Sequence, residues 1–292
     1  MITILTPTYN RKHTLHKLYN SLVNQTDKDL EWIIVDDGSK DDTKKLIDGY
    51  IKENKIKIRY YKKKNGGKHS AINYGIDYIE TDFVSIIDSD DYLTDDAIAT
   101  YKKYIKKYGS NEKVGVISFN KCDPNGEKIG KKFKEKEVYS NLIDFRFNKG
   151  IVGDPCELIR TKALKENRFP IFEDENFMAE AVVLVKIAFQ YDTVFVNKNI
   201  CVVEYLDDGL THSMLKNRVR CPKGTIENCK VFLSPRFKFY IRFKNYIMLT
   251  GFSLIDHRSF KDIMKSTNNK LYTILLYPAG ILFKYWALYK TR

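Results

Sequence analysis

The segment FVSIIDSDD at residues 83–91 is the most informative part of this 292-residue chain. Residues 83–87 predict a short buried strand, and three carboxylates follow within four positions. Like charges this close repel and raise one another's pKa unless a cation lies between them. Mg²⁺ and Mn²⁺ bind oxygen ligands, usually one or two carboxylates together with substrate phosphates. The cluster Asp88, Asp90 and Asp91 therefore indicates a metal and diphosphate site, or else a solvated acidic turn that caps the next helix.

Upstream of this cluster the chain alternates between the hydrophobic periods of strands and helices. The predicted elements are strand 2–5, helix 15–23, strand 32–35, helix 46–51, strand 56–61, helix 71–79 and strand 83–87. Strands that alternate with helices of this length form a mainly parallel sheet with helices on both faces. The predicted fold class is therefore α/β.

Polar segments follow the predicted strands or begin the next helix. In open parallel sheets, ligands bind at the carboxyl ends of the strands, so these segments are expected to meet. Segment 6–10 can bracket a base and ribose, and the paired aspartates of 36–39 can accept a hydrogen bond from a pyrimidine imide. The glycine-rich segment 65–68 offers backbone N–H groups and a lysine ammonium to a diphosphate. Taken singly, each also fits a helix cap or a turn. The candidate nucleotide contacts are Thr6, Pro7, Thr8, Tyr9, Asp36, Asp37, Asn65, Gly67 and Lys68.

Four motifs occur in order along roughly the first hundred residues: TPTYNR at 6–11, VDDGS at 35–39, NGGKHSAINYG at 65–75 and DSDD at 88–91. In this order they resemble the family 2 inverting glycosyltransferases of GT-A fold. The resemblance implies a nucleotide-sugar donor and a Mn²⁺ or Mg²⁺ cofactor. It also implies that Asp37 contacts the base and Asp90 the ribose and metal. Asp91 is then expected to contact the metal and the sugar diphosphate, with Asp88 sharing the metal.

An inverting transfer needs a base that removes the proton of the acceptor hydroxyl as its oxygen attacks the anomeric carbon. In the family this base is an acidic residue that opens a helix well downstream of the metal motif. The resemblance places it at Glu180, before the apolar helix predicted at 181–189, with Glu175 in the preceding loop as the second candidate. Ala181 replaces the aspartate of the family's frequent Glu-Asp pair. A carboxylate at a helix N-terminus also has a purely structural explanation, a favourable interaction with the helix dipole.

Two further segments are expected near the site. Segment 204–212, EYLDDGLTH, is similar to one that closes the nucleotide site in related bacterial enzymes, and His212 is its candidate diphosphate contact. A solvent-facing histidine is the alternative. The polar region 121–149 contains the turn signal DPNG and predicts a hairpin over the sugar or acceptor site.

The net charge of the chain lies in its last eighty residues. The chain has 50 lysines and arginines against 37 acidic residues, a formal net charge of +13, and 213–292 alone carries sixteen against three. Aromatic residues interleave with these charges, and 271–283 is strongly apolar. Peripheral contact with an anionic membrane and a helical subdomain packed on the catalytic domain both fit, whereas nucleic acid is disfavoured. A membrane span is also disfavoured, because Pro278 and Lys284 interrupt the apolar stretch.

The predicted organisation is a GT-A catalytic domain at 1–212 and a C-terminal helical, basic region at 213–292. Within the first, 1–91 is the nucleotide-binding half and 92–212 the acceptor half. Five cysteines without metal-site spacing indicate reduced thiols, and a chain that begins on a strand leaves no room for a signal peptide. The expected location is the cytoplasm, at or near the inner face of the cell membrane. The aromatic tail also leaves a homo-oligomer open.

The predicted activity is metal-dependent, inverting transfer of a sugar from a nucleotide-sugar donor, with uridine diphosphate as the expected carrier. The expected acceptor is a hydroxyl of a glycan or lipid-linked substrate in bacterial polysaccharide synthesis. A catalytically inactive nucleotide-sugar-binding or scaffold protein of the same fold is the alternative, because the Glu-Asp pair is incomplete. A Rossmann dehydrogenase is disfavoured, since no G-x-G-x-x-G opens the first helix.

Overall fold

The computed structural model describes residues 1–131, 133–151, 153–204 and 213–292. The chain divides into two compact units, one formed by Met1–Arg168 with Ile187–Tyr205 and the other by Phe169–Lys186 with Leu206–Arg292. The strands are β1 (Ile2–Thr8), β2 (Leu30–Asp36), β3 (Lys57–Lys62), β4 (Phe83–Ile86), β5 (Asp91–Leu93), β6 (Val114–Cys122), β7 (Glu137–Ser140), β8 (Pro155–Arg160) and β9 (Asp192–Val203). The helices are α1 (Leu15–Val23), α2 (Thr43–Glu53), α3 (Lys68–Ile76), α4 (Ala97–Tyr108), α5 (Thr161–Glu166), α6 (Ala181–Ala188), α7 (Met214–Arg220), α8 (Pro222–Val231), α9 (Phe239–Ile255), α10 (Phe260–Lys265) and α11 (Lys270–Lys290).

In the described part of the first unit, the strands form one sheet in the order β3-β2-β1-β4-β8-β6-β9-β5, with β7 paired to β9. The first four strands are parallel, as predicted. Later strands make the sheet mixed, because β8 runs antiparallel to both β4 and β6, while β6 and β9 are parallel. Each antiparallel pair includes a strand that comes after β4 in the chain, where strands and helices no longer alternate regularly.

Helices cover both faces of the sheet because successive strand residues point to opposite sides. Ile4 and Trp32 pack in one apolar cluster with side chains of α1, α2 and α4. Leu5 and Val35 point the other way, toward α3. A Cβ atom at Gly75 of α3 would lie only 2.4 Å from Leu5 Cδ1 and 3.0 Å from Val35 Cγ2. The glycine therefore lets α3 approach the sheet closely.

The region 121–149 is more varied than a single hairpin. A bridge between Cys122 and Lys128 closes a tight turn, in which Gly126 has φ +83°. Beyond it lie β7 and a π-helical turn at Ile143–Asn148. Only the first turn signal was visible in the sequence, because β7 pairs with β9, far along the chain.

The second unit is helical, and it contains more of the chain than the predicted C-terminal region 213–292. It includes Phe169–Lys186 as well as the helices that follow. Glu175 explains part of this, because its carboxylate binds the first backbone N–H groups of α8. Helix α11 continues through Pro278, which lies on its exposed side. Among the described residues, α11 is a helix long and apolar enough to cross a membrane.

Candidate active site

Two lysines contact the acidic cluster beyond β4. Lys68, the first residue of α3, places Nζ 2.6 Å from Asp88 Oδ1. Lys121 near the end of β6 places Nζ 2.7 Å from Asp91 Oδ2 and 3.5 Å from an oxygen of Asp154. Lys68 was predicted from the sequence, whereas Lys121 was missed. No local motif marks it, because strand order alone brings β6 to the cluster.

The cluster has the electrostatic tension expected of crowded carboxylates. Burial, reinforced by Asp88 and Asp90, raises the pKa of Asp91 to about 7, although Lys121 acts in the opposite direction. Burial and the charge of Asp88 also raise the pKa of Asp90. For Asp88, burial is outweighed by Lys68 and Lys121, so its pKa is lowered. The two lysines thus balance part of the negative charge, and Asp90 and Asp91 remain costly to ionise.

The donor atoms of this cluster suit a divalent cation that arrives with a diphosphate. Among the described residues, no group of three or more His, Cys, Asp or Glu side chains forms a ready ligand set. Mg²⁺, however, is usually held by one or two carboxylates together with substrate phosphates and water. Asp88, Asp90 and Asp91 supply such oxygens. A cation beside the two carboxylates of raised pKa would relieve their repulsion.

Asp37 shapes the glycine-rich loop before α3. Its Oδ1 accepts hydrogen bonds from Lys63 Nζ at 2.7 Å and Gly66 N at 3.0 Å, and Oδ2 accepts from Gly67 N at 2.7 Å. Asn65 Nδ2 donates to the Asp37 carbonyl at 2.9 Å. Gly67 has φ +89°, a conformation that favours glycine.

Two residues predicted to contact the nucleotide, Asp36 and Thr6, accept hydrogen bonds from other residues of the protein. Asp36 is fully buried, and its oxygens accept from Ser39 N and the Tyr60 hydroxyl, each at 2.6 Å. Thr6 is also fully buried, and its hydroxyl accepts from Trp32 Nε1 at 2.9 Å. These side chains therefore stabilise the strand ends, because their polar atoms are already paired within the protein.

The end of β1 keeps other candidates available. The Thr8 hydroxyl is buried and has no hydrogen-bond partner among the described residues. Tyr9 follows it with 42% of its surface exposed, and Pro7 precedes it in the buried strand. Asp37 lies beside this segment, because its N–H donates to the Thr8 carbonyl at 2.8 Å.

The end of β9 lies next to the acidic cluster. Asp91 is the register partner of Val203 in an antiparallel pair. The following residue, Glu204, forms an ion pair with Lys17 of α1. The expected diphosphate contact at His212 lies outside the described residues, as does the rest of 205–212.

The two candidate bases lie before α6 and differ sharply. Glu175 is 6% exposed, and its two oxygens accept from the backbone N–H groups of Lys223 and Gly224, each at 2.7 Å. Glu175 lies in the loop before α6, as predicted, and its carboxylate caps α8. Glu180 is exposed and directly precedes α6, where its carbonyl accepts from Val183 N at 3.0 Å. Its predicted position at the start of a helix is confirmed.

Four parallel strands, a glycine-rich loop and an aspartate cluster after β4 form the arrangement expected of the GT-A glycosyltransferase class. The chain belongs to glycosyl transferase family 2, whose sequence model matches residues 3–168. A glucosyltransferase of Campylobacter jejuni, named for GalNAc(5)-diNAcBac-PP-undecaprenol, is 27% identical over 233 residues, 79% of this chain and 73% of that protein. The chain is thus a glycosyltransferase.

Solved structures agree with the fold. The crystal structure of Staphylococcus aureus TarS 1-349 with UDP-GlcNAc has a TM-score of 0.65 at 18% identity, covering 98% of this chain and 81% of that chain. The mannosyltransferase PcManGT from Pyrobaculum calidifontis, in complex with GDP-Man and Mn²⁺, has a TM-score of 0.59 at 17% identity, with 98% and 87% covered. These likenesses confirm the predicted GT-A fold, with helices on both faces of the sheet.

Proposed function

We propose that this glycosyltransferase transfers a sugar, with inversion, from a uridine diphosphate donor to a hydroxyl of a glycan or lipid-linked acceptor. One observation carries the proposal: the aspartates after β4 share their space with Lys68 at the start of α3. Carboxylates and an ammonium at the end of parallel strands suit a metal-bound diphosphate. The relatives add support, because the C. jejuni protein is named as acting on a polyprenyl diphosphate-linked glycan.

In this proposal, Asp88, Asp90 and Asp91 would hold Mn²⁺ or Mg²⁺. When bound, the ion supplies positive charge that stabilises the diphosphate leaving group. Lys68 adds a second positive charge to the diphosphate from the N-terminus of α3, itself a favourable end for anions. Asp37 fixes the loop before α3 and so positions that lysine. The end of β1, from Thr8 to the exposed Tyr9, is assigned to the nucleoside.

Glu180 is proposed as the base. As the acceptor oxygen bonds to the anomeric carbon, the bond from that carbon to the diphosphate oxygen breaks. The electron pair leaves with the diphosphate, and the acceptor proton passes to the Glu180 carboxylate. Attack opposite the leaving group inverts the anomeric centre. Glu180 suits this role because it is exposed and directly precedes α6.

A panel of nucleotide sugars, assayed with and without Mn²⁺, tests the proposal. Glu180→Gln is expected to lower kcat by about 10²- to 10⁴-fold, with a smaller effect on donor KM. Glu173→Gln changes an exposed carboxylate of the same segment and serves as the matched control. Equal kcat values for the two variants would remove Glu180 from the reaction. A product that retains the donor's anomeric configuration, seen by NMR, would contradict inversion.

A further inference from the structure

Helix α11 exposes one continuous apolar face. Six of its large side chains are 51–74% exposed: Leu271, Ile274, Leu275, Leu282, Tyr285 and Tyr289. Trp286, which lies beside them, is 48% exposed. At about 100° per residue, these positions and Trp286 fall within an arc of roughly 120°. The face runs for about 27 Å along the helix. Contiguous exposed apolar surface of this kind marks an interaction site.

The opposite face of α11 is fixed within the second unit. Thr273, Gly280 and Ala287, spaced by seven residues, are fully buried or nearly so. A Cβ atom at Gly280 would come within 2.4 Å of Thr250 Cγ2 in α9, so the two helices pack closely. The Thr273 hydroxyl also lies 2.7 Å from that of Thr267, within hydrogen-bond distance. This packing sets the rotation of α11 and leaves its apolar face outward.

The charge around this face selects its partner. Residues 213–292 carry sixteen lysines and arginines against three acidic residues. Lys270 and Lys290, at the two ends of α11, are exposed. Trp286 and Tyr289 lie near its C-terminal end, and such side chains partition to the headgroup level of a bilayer. A second copy of the chain would bring like charges together, so an anionic lipid surface is the better match.

We infer that α11 lies in the plane of an anionic bilayer, with its apolar face in the headgroup and acyl boundary. Helices that bind in this way combine an apolar face with basic residues around it. A span is incompatible with the packing of α11, because it would carry Lys284 and the buried contacts with α9 into hydrocarbon. The inference concerns a surface of the second unit and is independent of the donor chemistry.

Flotation of the full chain with vesicles tests this surface. Phosphatidylcholine vesicles with and without phosphatidylglycerol are compared for wild type, for the double variant Leu275→Gln with Leu282→Gln, and for the control Ile51→Gln with Ile171→Gln. The control residues are exposed apolar side chains outside α11. Wild type and control are expected to bind the anionic vesicles, and the double variant at least tenfold more weakly. Trp286 emission should shift to shorter wavelength on binding, and this shift should be lost in Trp286→Phe.

Three results would overturn the inference. Equal vesicle binding by the double variant and wild type would leave the basic residues alone responsible. Self-association that the double variant abolishes, without vesicle binding by wild type, would make a second copy the occupant. Resistance of bound protein to an alkaline carbonate wash would indicate a span. Circular dichroism of each variant verifies that the exposed substitutions leave the helices intact.

Discussion

Replacing Lys121 by Met removes the cation beside Asp91 and is expected to destabilise the first unit. The two side chains are 13% and 5% exposed, and Nζ lies 2.7 Å from Oδ2. Breaking a buried ion pair by removing one partner costs about 3–5 kcal/mol, because the other charge stays buried. The destabilisation is expected at the lower end of this range, because Asp91, with its pKa raised to about 7, can take up a proton. We expect about 3 kcal/mol at pH 8.

The double variant Lys121→Met with Asp91→Asn distinguishes charge from packing. With both charges gone, a neutral amide faces a methionine, and the loss relative to wild type should shrink to about 1–2 kcal/mol. The double variant is therefore expected to be more stable than Lys121→Met alone. Lys17→Met, which removes a cation from the partly exposed pair with Glu204, is the control and should cost below about 1 kcal/mol.

Urea unfolding followed by tryptophan fluorescence measures these differences in the first unit. The chain has two tryptophans, and Trp32 is fully buried in the core of that unit. A Trp286→Phe background makes Trp32 the reporter. If the slope of the free energy of unfolding against urea concentration is unchanged, the variants alter stability and leave the compactness of the folded and unfolded states as it was. If the losses of Lys121→Met and Asp91→Asn simply add in the double variant, the charge-pair explanation fails.

Two further predictions concern buried groups. His69 is 2% exposed, and burial together with Lys63 lowers its pKa to about 4. As pH falls, His69 is therefore protonated in the unfolded chain before it is protonated in the folded chain. The free energy of unfolding should fall by roughly 3 kcal/mol as pH drops from 6.5 to 4. His69→Gln should remove this part of the slope and the exposed His16→Gln should not, as measured by urea unfolding at several pH values. Glu175→Ala should cost about 2 kcal/mol and speed amide exchange at the start of α8, because two N–H groups lose their acceptor; protection equal to that of Glu173→Ala would contradict the capping role.

Much of the first unit followed from local patterns. The apolar periods located the first four strands and the helices between them, and strand-helix alternation predicted their parallel order. The polar segments after those strands included Lys68 and the aspartate cluster, which the structure brings together. These features were predictable because they depend on residues close in sequence and on the general geometry of parallel sheets.

Other features depended on contacts between distant segments. Lys121 meets Asp91 across 30 residues, and only the order of β6, β9 and β5 places them together. The same acidic residue types also took different roles that no motif distinguishes: Asp36 became a buried acceptor and Glu175 a helix cap. Periodicity and motif order reflect short-range preferences, so they were sufficient to predict the parallel half of the sheet, the family and the acidic cluster. Burial, charge pairing and the outward face of α11 were decided by tertiary packing, because they depend on which distant surfaces come into contact.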